Sequence, residues 1–245
     1  MGLKTSRASA SDSQLTHDYE RLAKEYSQLG LDGTYYLAYR DVPHLIKQYC
    51  KGNTALDFGC GAGRSTRLLR DNGMKVIGVD ESRYMLDEAH RLDPRGKYQI
   101  IQNNQLPFEA SRFDLVLSSI VFMEISTKRT MVEILREMRR VLKRRGIVLI
   151  VTHSEEMYNR EWASFKWVRP RGTKLKSGTR VEVTVKGTNI KFFDYYWKNR
   201  DYLKVFPQAG LKLVRMHTPL AREDEPFNWI SETDFPPWMI YVLRK

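Results

Sequence analysis

A chain of 245 residues with 42% hydrophobic and 29% charged residues has the balance of a globular protein that buries a core, and its length fits one domain with embellishments. No apolar run approaches the roughly 18 residues of a membrane span and the start shows no signal-peptide apolar region, which predicts a cytoplasmic protein with no membrane partner. The two cysteines, Cys50 and Cys60, have neither metal-ligand spacing nor a disulfide framework, so no metal site is expected.

The formal net charge of +12 is unevenly spread. Between Lys128 and Arg215 there are 22 Lys and Arg against 8 Asp and Glu, a local balance of +14 that leaves about −2 for the rest. Such a half-chain is either a polyanion-binding face or a solvated one. No zinc-finger, helix-turn-helix or RNA-binding signature favours the first, so nucleic acid is the less favoured partner.

Residues 1–14, rich in Ser, Ala and Lys, read as a disordered start. Their opening Met-Gly-Leu-Lys-Thr-Ser formally fits a myristoylation pattern, although a cloning scar would look the same. Leu15, Tyr19, Leu22, Ala23 and Tyr26 recur at helical spacing, which predicts an amphipathic helix over 15–29. A turn at Asp32 and Gly33 and the run Tyr35–Arg40 lead into a second helix over Val42–Tyr49. Helical residues 15–50 thus precede the first strand.

The stretch Thr54-Ala-Leu-Asp-Phe-Gly-Cys-Gly-Ala-Gly-Arg64 follows: a short apolar run, an acid, three alternating glycines, then a helical pattern. A strand that turns into a helix over glycines leaves free backbone N–H groups and open space at the carboxyl edge of a sheet. A dinucleotide fingerprint starting at Gly59 would need a small residue at position 64, where Arg64 stands. Asp57, two residues ahead of the first glycine, would repel a pyrophosphate and attract an ammonium. The next apolar run, Met74–Asp80, ends in an acid 17 positions past Gly63, close to the roughly 20-residue offset at which an acid accepts ribose hydroxyls.

From there strands are expected at 55–58, 75–79, 98–102, 114–118 and 146–152, and helices at 64–72, 82–92 and 128–142, with Ser82 as an N-cap. This alternation predicts an α/β fold with a mostly parallel sheet covered by helices on both faces. Residues 159–198 add Trp162, Phe165, Trp167, a Pro170–Gly172 turn, and two alternating runs, 180–186 and 190–197, around a Gly-containing turn. The two runs spell a β-hairpin. A helix from Asn199 closing at Gly210 and strands at 211–217 and 238–243 complete the chain.

Glycine turn, leading acid and strand-end acid together resemble the first motifs of class I S-adenosylmethionine-dependent methyltransferases, most closely over 54–152 and loosely elsewhere. Gln102–Phe108 followed by Phe113-Asp-Leu-Val resembles a further segment of that family, with Gln102 where an acid is usual. The resemblance implies a Rossmann-like, doubly wound, seven-stranded sheet with an antiparallel last strand, a core over 51–152 and 199–245, an N-terminal lid over 15–50, and a substrate-capping insertion over 153–198. It implies S-adenosylmethionine as cofactor, S-adenosylhomocysteine as product, and a monomer or homodimer. Cofactor contacts are expected from Asp57, Gly59, Gly61, Gly63, Arg64, Asp80, Glu81, Gln102, Asn103 and Ser119, and from Tyr26, Tyr36 and Arg40 of the lid, with Tyr19 and Tyr39 as further lid candidates. Gln102 has an amide oxygen to accept an adenine N–H, and Asn103 a donor for a ring nitrogen. Phe122, Glu124, Trp162 and Trp197 are expected to face substrate. His153, at the exit of the fifth strand, is the expected base, with Tyr195 and Tyr196 as orienting donors.

Three functional readings follow. The first is methyl transfer to N or O of a small, aromatic or heterocyclic metabolite, favoured by the aromatic insertion. The second is an RNA or protein methyltransferase using the basic second half, and the third a non-catalytic cofactor-binding module. The Asn-Pro-Pro-aromatic tetrapeptide of DNA amino-methyltransferases is missing after the fourth strand, which argues against adenine in DNA.

Overall fold

The computed structural model describes residues 23–168 and 174–245. The expected disordered start, Gly2, Tyr19, the first part of the 15–29 helix and the Pro170–Gly172 turn lie outside the described residues. Residues 23–27 are helical, as that periodicity predicts.

Two short helices, α1 (Gly33–Arg40) and α2 (Val42–Tyr49), lead into β1 (Thr54–Phe58), α3 (Arg64–Asp71), β2 (Lys75–Asp80), α4 (Arg83–Leu92), β3 (Tyr98–Ile100), β4 (Phe113–Ser119), α5 (Lys128–Val141) and β5 (Leu142–His153). Three strands follow, β6 (Phe165–Val168), β7 (Thr179–Val185) and β8 (Lys191–Tyr196). The chain ends with α6 (Asn199–Gln208), β9 (Lys212–His217) and β10 (Trp238–Arg244). Helix starts follow local chemistry. Ser82 caps α4 by accepting the Met85 N–H, and Thr127 caps α5 by accepting that of Thr130. In α5, Met131, Ile134, Leu135, Met138 and Val141 recur at helical spacing and are all buried.

The seven-stranded sheet has the order β3-β2-β1-β4-β5-β10-β9. Strands β1 to β5 pair in parallel, and β10, the last in the chain, runs antiparallel to both β5 and β9. This is the predicted α/β, doubly wound arrangement. Alternate residues of the central strands enter opposite cores. Ala55, Leu115, Leu117 and Leu149 face one, which also takes Leu37 and Leu45 of the N-terminal helices. Leu56, Val116, Val148 and Ile150 face the other, against α5 and α6. Each such burial stabilises by roughly 1.5–3 kcal/mol, which explains near-continuous apolar runs in strands covered on both sides.

The predicted hairpin is present as β7–β8, paired from Thr179↔Tyr196 to Thr184↔Lys191. A third strand, β6, pairs antiparallel with β7 and makes a separate three-stranded sheet. Its four residues are too short a run to show alternation in sequence. This small sheet packs Phe165, Val181 and Val183 onto the same face as α1 and α2, with Tyr35 meeting Phe165 edge-on at 4.7 Å. Strand β5 starts four residues before the expected position, because Leu142 pairs with Phe113 across a register shift.

One buried carboxylate holds these parts together. Glu232, from the loop between β9 and β10, accepts hydrogen bonds from the Thr34 hydroxyl at 2.6 Å, the Ala163 N–H at 2.7 Å, and the N–H groups of Ile230 and Ser231. It thereby joins α1, the approach to β6 and its own loop. Among the described residues no helix is long and apolar enough to cross a membrane.

Candidate active site

Strand order reverses between β1 and β4, which leaves a crevice beyond their carboxyl ends. The glycine turn occupies one side of it. The Gly59 and Cys60 N–H groups both donate to the Val79 carbonyl, at 2.9 and 3.0 Å, pinning the turn to the end of β2. Gly63 has φ 77°, and a Cβ there would lie 2.5 Å from the Tyr98 hydroxyl. At Gly61 an added Cβ would meet only the Tyr26 ring, at 3.9 Å, so this backbone opens onto the crevice.

On the other side the chain leaves β4 through Ile120 at φ 63°. A β-branched residue with positive φ is a strained conformation that surrounding structure must impose. Here the Ile120 N–H donates to the Val151 carbonyl at 2.9 Å, which holds the turn open beside the glycines.

Between the two turns lies a cavity of about 390 Å³. Tyr26, Gly59, Gly61, Arg64, Asp80, Glu81, Ser119 and Glu124, all expected at the site, line it. Asp80 accepts the Gly61 N–H on one oxygen and the Ser82 N–H on the other, both at 2.8 Å, so it braces the turn as well as facing the cavity. Burial raises its pKa. Glu81 accepts the Asn104 N–H at 2.9 Å. The Arg64 guanidinium lies 5.4 Å from the Tyr26 ring centre and 5.1 Å from that of Tyr35, and donates to the Leu29 carbonyl. It ties the N-terminal segment over the turn.

Two motif residues sit one layer back. Asp57 is fully buried behind the turn, where one carboxylate oxygen accepts the Ser65 and Thr66 hydroxyls and the other has no partner. Burial pushes its pKa up to about 6, with the hydroxyls pulling the other way. Gly63 faces Tyr98 rather than the cavity.

Several expected contacts lie elsewhere. Gln102 is exposed and bridges to Gln105, and Asn103 beside it turns with φ 52°; it is the next residue, Asn104, that reaches the cavity. Tyr36 points away from the crevice onto Phe227, with ring centres 5.0 Å apart. Arg40 is held by Asp41 and Glu225, each at 2.8 Å. Phe122 is fully buried in the core under α5. Trp162 and Trp197 are core residues whose indoles donate to the Met157 and Ile125 carbonyls. Helical or alternating spacing cannot distinguish an aromatic that packs inward from one that faces a ligand.

His153, Tyr195 and Tyr196 likewise do not line the cavity. Tyr195 packs on the α5 side while its N–H donates to the Met123 carbonyl at 2.6 Å, and Tyr196 is buried among the core aromatics. His153 is buried against Trp238, ring centres 4.9 Å apart, with Nδ1 2.5 Å from the Tyr158 hydroxyl. That hydroxyl donates to Asp194 at 3.1 Å. Burial holds the His153 pKa down to about 3 and pushes that of Asp194 up to about 7. The imidazole is therefore a neutral link between β5 and β8, not a base at the cavity.

Among the residues that sequence reasoning did not place there are Tyr35, Met85, Asn104, Ile190, Lys191 and Phe192. The last three lie just before and at the start of β8, so the small sheet contributes to the cavity lining with the turn end of its hairpin rather than with residues 194–197. The alternation located the hairpin, and nothing in it showed which end meets the cavity.

Residues 56–150 match the model of a methyltransferase domain. The chain carries a methyltransferase domain, and its fold is that of S-adenosylmethionine-dependent methyltransferases of known structure. A crystal structure of an S-adenosylmethionine-dependent methyltransferase from Mesorhizobium loti shares the fold, with TM-score 0.60 and 17% identity over 85% of this chain and 98% of that one. N-demethylindolmycin N-methyltransferase of Streptomyces griseus is 29% identical over 67% of this chain and 72% of its own. The tRNA (carboxymethyluridine(34)-5-O)-methyltransferase of Saccharomyces cerevisiae is 26% identical over 60% of this chain and 51% of its own.

The cavity of this methyltransferase suits its cofactor. The open backbone at Gly61 gives space, the Asp80 carboxylate is exposed to hydroxyl donors, and Met85 and Ile101 offer apolar surface. Asp80, Glu81 and Glu124 line the space, with Asp57 one layer back, and their carboxyl groups offer acceptors for a ligand carrying a sulfonium and an ammonium.

Proposed function

We propose that this methyltransferase transfers the methyl group of S-adenosylmethionine to N or O of a small, aromatic or heterocyclic metabolite. The observation that carries this reading is the aromatic and apolar part of the cavity lining, contributed by Tyr26, Tyr35, Tyr39, Ile190 and Phe192. Flat apolar walls with a few polar groups favour a planar ligand of modest size. The relative from Streptomyces griseus, named for an N-methyl transfer, supports it.

When bound, the cofactor supplies an electrophilic methyl group on a positively charged sulfur. Asp80, Glu81 and the glycine turn would hold it, with Asp57 acting through space from behind the turn. The tyrosines and the hairpin would exclude water and orient the acceptor, which can supply much of the rate in a transfer that needs little covalent help. Glu124 lines the cavity and His153 does not, so Glu124 would be the group to take a proton from the acceptor.

A second reading, methylation of RNA, is favoured by the basic second half, by Arg67 and Lys191 at the cavity, and by the tRNA methyltransferase relative. Transfer of labelled methyl groups into a cell extract, separated into small molecules, RNA and protein, decides between them. Label in the small-molecule fraction is expected. Label in RNA, with transfer falling steeply as salt rises, would replace the first reading by the second.

A further inference from the structure

We propose that a second cavity, at the amino ends of the strands, binds the phosphate groups of a small phosphorylated metabolite. This site goes beyond the methyl-transfer reading and does not depend on it.

The cavity, also of about 390 Å³, is lined by Thr54, Lys75 and Phe113, the first residues of β1, β2 and β4, and by Arg95 and Lys97 of the loop from α4 to β3. It thus lies at the other end of the sheet from the glycine turn. Its origin is a mismatch in strand length. Strand β3 pairs with β2 only from Gly78↔Tyr98 onward, so residues 75–77 leave an open edge, and all three line the cavity. The Gly78 N–H donates to the Lys97 carbonyl at 2.8 Å, and successive amides of a strand alternate between its two edges. The Val76 N–H therefore points to the open edge, where β3 has not begun.

Arg70, Lys75, Arg95, Lys97 and Arg112 line this space against a single carboxylate, Asp93. Asp93 is buried and already paired with Arg70. Among the described residues the side chains of Lys75, Arg95 and Lys97 have no hydrogen-bond or ion-pair partner, and the Arg112 guanidinium rests on the Phe108 and Phe113 rings at 4.8 and 5.4 Å. The backbone that carries these cations is fixed. The Lys75 N–H donates to the Asn53 carbonyl at 2.6 Å and the Gly96 N–H to the Asp93 carbonyl at 2.9 Å. A Cβ at Gly96 would collide with the Tyr98 ring and the Asp93 carboxylate, so the loop between Arg95 and Lys97 lies tight against both.

Four cations without a carboxylate partner around one concave space repel one another, and a bound anion offsets that repulsion. A phosphate monoester brings about two negative charges and three acceptor oxygens, enough to meet a guanidinium, an ammonium and a backbone N–H together. The volume suits a small ligand, whereas a nucleic-acid strand is tracked by an extended groove. These cations lie outside 128–215, in the part of the chain whose formal charge sums to about −2, so charge totals gave no sign of them.

Calorimetry of the full chain with inorganic pyrophosphate, at physiological ionic strength, tests the assignment. Wild type is compared with Arg95→Ala/Lys97→Ala and with Arg200→Ala/Lys204→Ala, which removes the same charge from exposed positions on α6. Saturable binding that weakens by about tenfold or more in the first variant and stays within about twofold in the second is expected. S-adenosylmethionine should bind the pyrophosphate-loaded protein and both variants as it binds the free wild type, because the two cavities lie at opposite ends of the strands. Mutual exclusion of the two ligands would place pyrophosphate in the cofactor cavity and overturn the site. Equal weakening in both variants would reduce it to general surface charge, and no saturable binding would overturn it outright. A short single-stranded RNA that binds where pyrophosphate does not, and is weakened only by Arg95→Ala/Lys97→Ala, would replace the small ligand by a polymer.

Discussion

The buried chain from His153 through Tyr158 to Asp194 makes stability depend on pH in a calculable way. Asp194 is fully buried at the centre of β8, with one oxygen unpartnered. Burial pushes its pKa up to about 7 from an ordinary value of 3.8, opposed only by the Tyr158 hydrogen bond. An acid whose pKa is raised by folding keeps its proton in the native chain where the unfolded chain has lost it. Its contribution is therefore complete below about pH 4 and is lost as pH rises through about 7. The limiting slope is about 1.4 kcal/mol per pH unit, so between pH 5 and 7 the cost approaches about 2–3 kcal/mol. In Asp194→Asn the amide donates to the Tyr158 oxygen, and the Tyr158 hydroxyl donates to neutral His153, as a protonated Asp194 would arrange them. Urea unfolding of both proteins at half-unit steps from pH 5 to 8 should show the variant gaining on wild type by about that amount before levelling off. Because Asp57 and Glu124 titrate in both proteins, the difference between the curves is the quantity to read. A difference that stays flat across this range, or a variant that loses ground as pH rises, would refute the buried, proton-holding role of Asp194.

Other expectations follow from single contacts. Asp80→Asn should weaken S-adenosylmethionine binding by about tenfold or more in calorimetry, since it removes a charged acceptor at the cavity and weakens the brace on Gly61; unchanged affinity would dissociate Asp80 from the cofactor. Gly63→Ala should cost roughly 1–3 kcal/mol in denaturant unfolding, from positive φ and a Cβ 2.5 Å from the Tyr98 hydroxyl. Glu232→Gln should cost roughly 1–3 kcal/mol in the same assay, because an amide nitrogen would face some of the four donors that now meet carboxylate oxygens. The proton resonances of the His153 ring should not titrate between pH 5 and 8, as burial holds its pKa down to about 3; a midpoint near 6.5 would place that ring in contact with solvent.

The fold was legible because its signals are local. Strand ends at Phe58 and Asp80, the Ser82 cap and the apolar stripe of α5 each follow from residues within one or two turns of chain. The turn at Gly59–Gly63 was legible for the same reason. The wall opposite was not, because it is made by residues about 70 to 130 positions away. Phe192 and Phe193 look alike in sequence, and only the docking of the small sheet sets Phe192 against the cavity and leaves Phe193 outside under Arg180. His153 shows the converse: its place at the end of β5 was right, but Trp238, brought alongside by the antiparallel β10, covers it. Ile120 and Glu232 carried no local signal, since positive φ at an isoleucine and a carboxylate meeting four donors are consequences of the assembled structure.

The three-stranded sheet completes its own ladder of hydrogen bonds and meets the rest of the fold through side chains and backbone contacts such as that of the Tyr195 N–H with the Met123 carbonyl, in the turn after β4. Residues 190–192 can therefore change without rewiring the strands that carry Asp80 and the glycine turn. On the proposed function, exchanging the tip of the β7–β8 hairpin between related enzymes is expected to change which acceptors are methylated while cofactor binding stays in place.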